Sequence, residues 1–168
     1  NAWQKEVETS DAKLAPLYAG MMQKSVAELA NDENAKGIGQ RLFANNCSVC
    51  HGSDAKGAIG FPNLTDQDWL YGGSPDAIEQ SILVGRAGAM PAFGAMLDER
   101  TRQAVKHRVL SLSGREHDAK LAAAGDATFA TVCAACHGAE GKGNAAFGAP
   151  NLSDGIWLFG GTHGAIDD

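Results

Sequence analysis

The 168-residue chain has no run approaching the roughly eighteen consecutive apolar residues of a membrane span, and no signal peptide opens it. The start is expected to be a mature end or a cut. No basic stripe is present either. Lys and Arg number 14 against 20 Asp and Glu, a net charge of -6, so nucleic acid is not an expected partner. Residues 1–34 carry -3, residues 35–114 carry +1 and residues 115–168 carry -4. Two readings of this acidity stand, plain solubility and steering of a complementary redox partner. The alternating apolar and polar pattern of half-buried strands is also missing, which leaves an all-α fold. Cysteine is scarce, with 4 in the chain, whereas glycine is abundant at 21 and hydrophobic residues make an ordinary 44%.

All four cysteines fall in two copies of one motif. Cys47-Ser48-Val49-Cys50-His51 and Cys133-Ala134-Ala135-Cys136-His137 both spell C-x-x-C-H. Nothing remains for a disulfide framework. Two thiols three positions apart can both reach the vinyl groups of one porphyrin, and the next histidine is held beneath the iron. A thioredoxin-like thiol pair needs a βαβ context that this chain does not offer. Zinc accepts cysteine and histidine but has no need of histidine directly after the second cysteine in both copies. Two covalently attached c-type haems are the expected cofactors.

The motifs stand 86 residues apart and belong to a longer repeat. Pro62-Asn63-Leu64-Thr65-Asp66 returns as Pro150-Asn151-Leu152-Ser153-Asp154, and Trp69-Leu70-Tyr71-Gly72-Gly73 as Trp157-Leu158-Phe159-Gly160-Gly161. The displacement there is 88, so the second haem loop holds two extra residues. Gly39 and Phe43 ahead of the first motif match Gly125 and Phe129 ahead of the second. Three segments follow: an N-terminal linker or helical lead over 1–34, a first module over 35–114 and a second over 115–168. In the first module a helix is expected from about Ala35 to Asn46, with Ile38, Leu42 and Phe43 at helical spacing. Ser74-Pro75 reads as a helix start, with Ile78, Ile82 and Leu83 forming its apolar face. A last helix over Asp98 to Ser113 places Val105, Val109 and Leu112 on one side and stops at Gly114. An eighty-residue unit has little core of its own, and a porphyrin tied to the chain would enlarge it. The second module ends where Ser74 to Gln80 map onto Thr162 to Asp168. It is expected to be incomplete at its C-terminus, the chain being a fragment or lacking its tail.

His51 and His137 are the expected proximal iron ligands. Met90, about forty residues after the first motif in Gly88-Ala89-Met90-Pro91, is the expected sixth ligand of the first haem, with Met96 as the alternative. A thioether favours reduced iron, and a filled sixth site suits electron transfer. The carbonyls of Pro62 and Pro150 either accept the Nδ1–H of the two histidines or belong to prolines that only shape a loop. Arg86 either pairs with a haem propionate or is a plain surface arginine. Trp69 and Trp157 either pack near their haems or are core tryptophans. No distal ligand is evident for the second haem. The offset puts one near position 178, beyond Asp168, and Met21, Met22, His107, His117 and His163 are the conceivable substitutes.

The paired proline and tryptophan blocks, with Met90-Pro91-Ala92, resemble the dihaem subunit III of cbb-type cytochrome c oxidases. The acidic lead from Glu6 to Tyr18 is similar to the segment joining that subunit's membrane anchor to its first haem domain. The resemblance implies two tandem class I cytochrome c domains on the periplasmic side of a bacterial inner membrane, held by an anchor that is not in this chain. It implies electrons taken from a soluble cytochrome c or the cytochrome bc complex and passed towards the oxygen-reducing core. The partners are then the other oxidase subunits, and no substrate chemistry is expected in this chain itself. Carried over by position, His51 and Met90 ligate the first iron and His137 the second. The family's second methionine has no matching residue. Two rivals remain, a free periplasmic dihaem carrier and a dihaem peroxidase or gas-responsive haem protein.

Overall fold

The computed structural model describes residues 1–167; Asp168, the last position of the second module, lies outside the described residues. The chain divides into two compact units, one over Asn1–Val49 and one from Cys50 onward. Among the described residues there are helices and no strands, with two isolated bridges, Ala58 with Phe61 and Asn144 with Ala149. The expected all-α fold is what forms.

In the first unit α1 covers Ala2–Met21, α2 Val26–Leu29 and α3 Glu33–Asn46. Each begins where a side-chain oxygen can meet otherwise unpaired backbone N–H groups. Asn1 Oδ1 accepts from the Gln4 N–H at 2.9 Å, and Ser25 with Glu28 forms a reciprocal box. Asp32 Oδ1 accepts from Asn34 and Ala35. This aspartate starts α3 two residues ahead of the position expected from apolar spacing. At its far end Cys47 donates its backbone N–H to the Phe43 carbonyl at 2.8 Å, so the first cysteine continues the helical path into α4, Ser48–His51.

In the second unit α5 runs Pro75–Leu83, a 3₁₀ turn covers Phe93–Ala95, and α6 spans Glu99–Leu112. The start signals read from sequence operate as expected. Ser74 Oγ accepts from Ala77 and Asp98 Oδ1 from Thr101, and Gly114 takes a positive φ of 67° beyond α6. Then come α7 over Ala119–Thr128, a π turn over Phe129–Cys133, α8 over Ala134–His137 and α9 over His163–Asp167.

Deep burial concentrates where α6 meets α7. Leu110 is 1% and Phe129 2% exposed, with Ala104, Val109 and Ala122 also buried. Fully burying side chains such as these two is worth about 1.5–3 kcal/mol each. Gly125 allows the helices to touch, because a methyl there would lie 2.6 Å from the Ala104 carbonyl carbon. Arg108 Nε pairs with Asp126 Oδ1 at 2.8 Å across the same crossing. Of the expected α5 face, Ile78 is half-buried while Ile82 and Leu83 are 78% and 74% exposed.

Candidate haem sites and their family

The two modules repeat bond for bond around the attachment motifs. His51 Nδ1 lies 3.0 Å from the Pro62 carbonyl oxygen and His137 Nδ1 lies 3.0 Å from that of Pro150. A carbonyl can only accept, so each Nδ1 carries a hydrogen, and in the neutral ring Nε2 keeps its lone pair. Each histidine's own carbonyl accepts from the glycine six residues on, Gly57 and Gly143, both at 2.8 Å. Asn63 Oδ1 accepts from Thr65 as Asn151 Oδ1 does from Ser153. Trp69 Nε1 donates to the Asp66 carbonyl at 3.1 Å, and Trp157 Nε1 to that of Asp154 at 3.3 Å. Each indole is thereby pinned to its own loop. The loops' close turns rely on positive φ at Gly57 and Gly143, where a Cβ would strike the following chain. Where the second module has Gly141 at φ 68°, the first has Ala55 at φ 58°.

The two sites differ in cover. His137 is buried at 7% exposure, whereas His51 is half-buried with Phe61 edge-on at 6.0 Å. Burial pushes the Cys133 thiol above its ordinary pKa, so it rests as the neutral thiol. Met90 and Met96 are both 70% exposed, and Val49, Ile59 and Val84 are also open to solvent. These exposed apolar side chains are available to contact a bound apolar group. The donor set and this surface fit a haem c: two thiols, an imidazole with a free Nε2, and apolar side chains that a porphyrin would cover. In the second module Phe147, Ile156 and Phe159 are exposed in the same manner.

Arg86 has partners within its own module. Its Nε donates to Ser81 Oγ at 3.0 Å, one terminal N–H to the Ala77 carbonyl at 2.9 Å, and its guanidinium lies 5.0 Å from the Tyr71 ring centroid. Arg115, which sequence reasoning passed over, lies 5.2 Å from the Trp157 ring with a contact to the Gly161 carbonyl. Its position directly after the α6 stop was the available signal. Of the substitute ligands, His107 and His163 come together with ring centroids 5.1 Å apart, while His117 Nδ1 lies 2.7 Å from the Arg115 carbonyl.

The modules also meet each other, and they do so reciprocally. The Gly60 N–H of the first haem loop donates to the Leu158 carbonyl at 2.8 Å, beside Phe159. At the matching place the second haem loop meets Tyr71 at Gly148. A cleft of about 190 Å³ lies along this seam, with Trp69 and Leu70 on one side and Lys142 and Pro150 on the other. Asp68 lines it too, and burial, then the charges of Asp154 and Asp66, raise its carboxyl above the ordinary value.

Two helical modules with paired C-x-x-C-H sites, each histidine oriented by a proline carbonyl, define a tandem c-type cytochrome. Residues 34–107 match the family described as cytochrome c oxidase, cbb3-type, subunit III, and residues 122–165 match cytochrome c. The chain belongs to the subunit III family of cbb3-type cytochrome c oxidases. It is 52% identical over 92% of its length to the cbb3-type oxidase subunit CcoP of Rubrivivax gelatinosus, and 38% identical over 98% to that of Cereibacter sphaeroides. Identity to the FixP subunit of Sinorhizobium medicae is 41% over 88% of the chain. The chain spans 51% and 62% of the length of the first two relatives. Two cytochrome c domains imply covalent haem c. No helix among the described residues is long and apolar enough to cross a membrane.

Proposed function

We propose that this chain is a dihaem electron-transfer module of a cbb3-type oxidase. It takes electrons from a soluble cytochrome c or the cytochrome bc complex and delivers them towards the oxygen-reducing core, on the periplasmic side of a bacterial inner membrane. Cys47 and Cys50 bind one haem, Cys133 and Cys136 the other, with His51 and His137 as axial ligands and Met90 as the sixth ligand of the first. A bound haem supplies a one-electron iron couple. The other subunits of the oxidase complex are its standing partners.

The observation that carries this reading is the pair of 3.0 Å contacts from histidine Nδ1 to the Pro62 and Pro150 carbonyls. Each contact fixes the ring and its tautomer, raises the basicity of Nε2 and aims it as a ligand. Met90, stiffened by Pro91, brings a soft sulfur that resists proton chemistry altogether. Arg86, Trp69 and Trp157 hold the loops around the sites through the bonds described above.

The test is the intact mass of the denatured chain, because thioethers survive denaturation, with a reduced-minus-oxidised spectrum of the folded protein. Two haems per chain and a methionine-ligated spectrum that Met90→Ala abolishes are expected. A chain without haem overturns the reading. Two haems with no co-purifying oxidase subunits, in cells that make them, leave the free carrier instead.

A further inference from the structure

Tyr71 stands on the seam between the first module and the second haem loop. Its ring is half-buried and lies under the Arg86 guanidinium at 5.0 Å. Arg86 is itself tied to Ser81 and Ala77, so the ring is held from one face. Two glycines leave room for the hydroxyl end. A methyl on Gly88 would lie 2.7 Å from Tyr71 Oη, and a methyl on Gly148 would run into the same ring, 2.5 Å from Cε1. Real side-chain carbons do not come so close, so both positions require glycine as long as Tyr71 keeps this place. Gly88 lies two residues before Met90, while Gly148 belongs to the haem loop of the second module. The same point beside Gly88 is 3.8 Å from the Gly148 carbonyl oxygen and 3.9 Å from that of Phe147. Tyr71 is thus wedged between the loop that presents Met90 and the loop that follows His137. The reciprocal contact is slacker. Phe159 has no hydroxyl, and a methyl on Gly60 would meet its ring at an ordinary 3.6 Å.

We propose that Tyr71 is a positioning residue for electron exchange between the two haems, a proposal that rests on the function put forward above. Its phenol acts as a spacer that sets how near the Met90 loop and the second haem loop come, and it fixes their mutual orientation. The exchange is simple in balance: one electron leaves a ferrous centre and a ferric centre gains it, with no proton or co-reactant. Its rate falls steeply with separation and orientation, which are the two quantities a rigid wedge controls. A remote misplacement of about 1 Å can cost on the order of a hundredfold in a geometry-dependent step.

The experiment uses the full chain with its haems and four variants: Tyr71→Ala, Gly88→Ala, the double variant Gly88→Ala/Tyr71→Phe, and Gly155→Ala. Gly155 serves as control because a methyl there meets nothing within 4 Å. Haem content is first counted by mass for every protein. Magnetic dipolar coupling between the two ferric irons then reports their separation independently of any turnover, and photoreduction of one haem reports the exchange rate. Tyr71→Ala and Gly88→Ala are expected to change the coupling and slow exchange by about tenfold or more. Gly155→Ala should do neither. The double variant should recover most of the loss, because removing the hydroxyl frees the space that the new methyl needs. That recovery is the non-additive signature of direct contact, and a merely destabilising substitution would not show it. Unchanged coupling in Gly88→Ala, or a double variant no better than the single one, overturns the proposal. Should Tyr71→Ala fail to fold, the Gly88 pair decides alone. A wild-type chain lacking two haems overturns the preceding reading together with this one. Two haems with coupling that ignores Gly88 and Tyr71 overturn this one only.

Discussion

The helices that lead into the two attachment motifs carry the same signals and meet different fates. Gly125 and Phe129 lie ahead of Cys133; Gly39 and Phe43 lie at the same distances ahead of Cys47. Phe129 is 2% exposed and Gly125 rests on the Ala104 backbone. Phe43 is only half-buried, and a methyl on Gly39 would meet nothing within 4 Å. Sequence similarity therefore carries over the helix and its capacity to pack, while the partner decides how much of that capacity is used. In the second case the partner is α6. In the first module Leu42, Val49, Ile82, Leu83 and Met90 remain exposed.

The largest break in this comparison should come from the phenylalanines. Phe129→Ala is expected to cost about 3–5 kcal/mol, the range for a fully buried ring, and Phe43→Ala clearly less. Chemical denaturation of the full chain, followed by helix content, measures both. Equal losses would mean that both helices are equally covered. The glycines sharpen the point, because the same substitution should change sign. Gly125→Ala forces a methyl into the Ala104 carbonyl and should destabilise by about 1–3 kcal/mol. Gly39→Ala meets open space within a helix and should stabilise by about 0.5–1 kcal/mol. Thermal melting of the two variants side by side reads the difference directly.

The smallest effect concerns acidity at the α6–α7 junction. His107 Nδ1 accepts the Asp118 N–H at 2.9 Å, which only the neutral ring can do. Burial first, then the neighbouring charges of His163 and Lys106, lower its pKa, with Asp118 opposing and His117 adding to the depression. A histidine whose folded pKa is depressed takes up its proton first in the unfolded chain. Stability is therefore fully present above the ordinary imidazole value of about 6.5 and falls as pH drops below it, until the folded ring also protonates. The melting temperature should decline on acidification from neutral pH, and His107→Asn, which keeps a short acceptor without the titration, should flatten that decline. A slope unchanged by this substitution would move the effect to another group.

Much of this architecture was legible because it is local. Ser74-Pro75, Asp98 and Gly114 announce α5 and α6, since capping chemistry involves residues within one turn. The cysteine motifs, their histidines and the proline blocks repeat, and the repeated hydrogen bonds follow the repeated letters. The remainder depends on residues far apart in sequence. Nothing near Phe129 tells that α6 will cover it. The π turn over Phe129–Cys133 keeps the apolar spacing of an α-helix and leaves no compositional mark. Ile82 and Leu83 form the stripe that periodicity predicts, yet periodicity cannot say that this chain leaves them exposed. Tyr71 was visible as a member of the Trp-Leu-Tyr-Gly-Gly block, but Gly88 and Gly148, which give it meaning, lie 17 and 77 residues away.

The two extra residues of the second haem loop fall between the bridged pair Asn144 and Ala149, where the first module closes Ala58 to Phe61 over a shorter span. Phe147 and Gly148, the part that reaches Tyr71, lie within that lengthened stretch. Two identical modules that meet through the same patch do so about a twofold axis, each supplying what the other supplies. Growth of one loop ends that equality and gives the pair a handedness of roles, one partner supplying the reach and the other the wedge. Exchanging the order of the modules along a gene would leave every cysteine motif intact, yet would place the long loop and the tyrosine on the wrong sides of the linker that joins them.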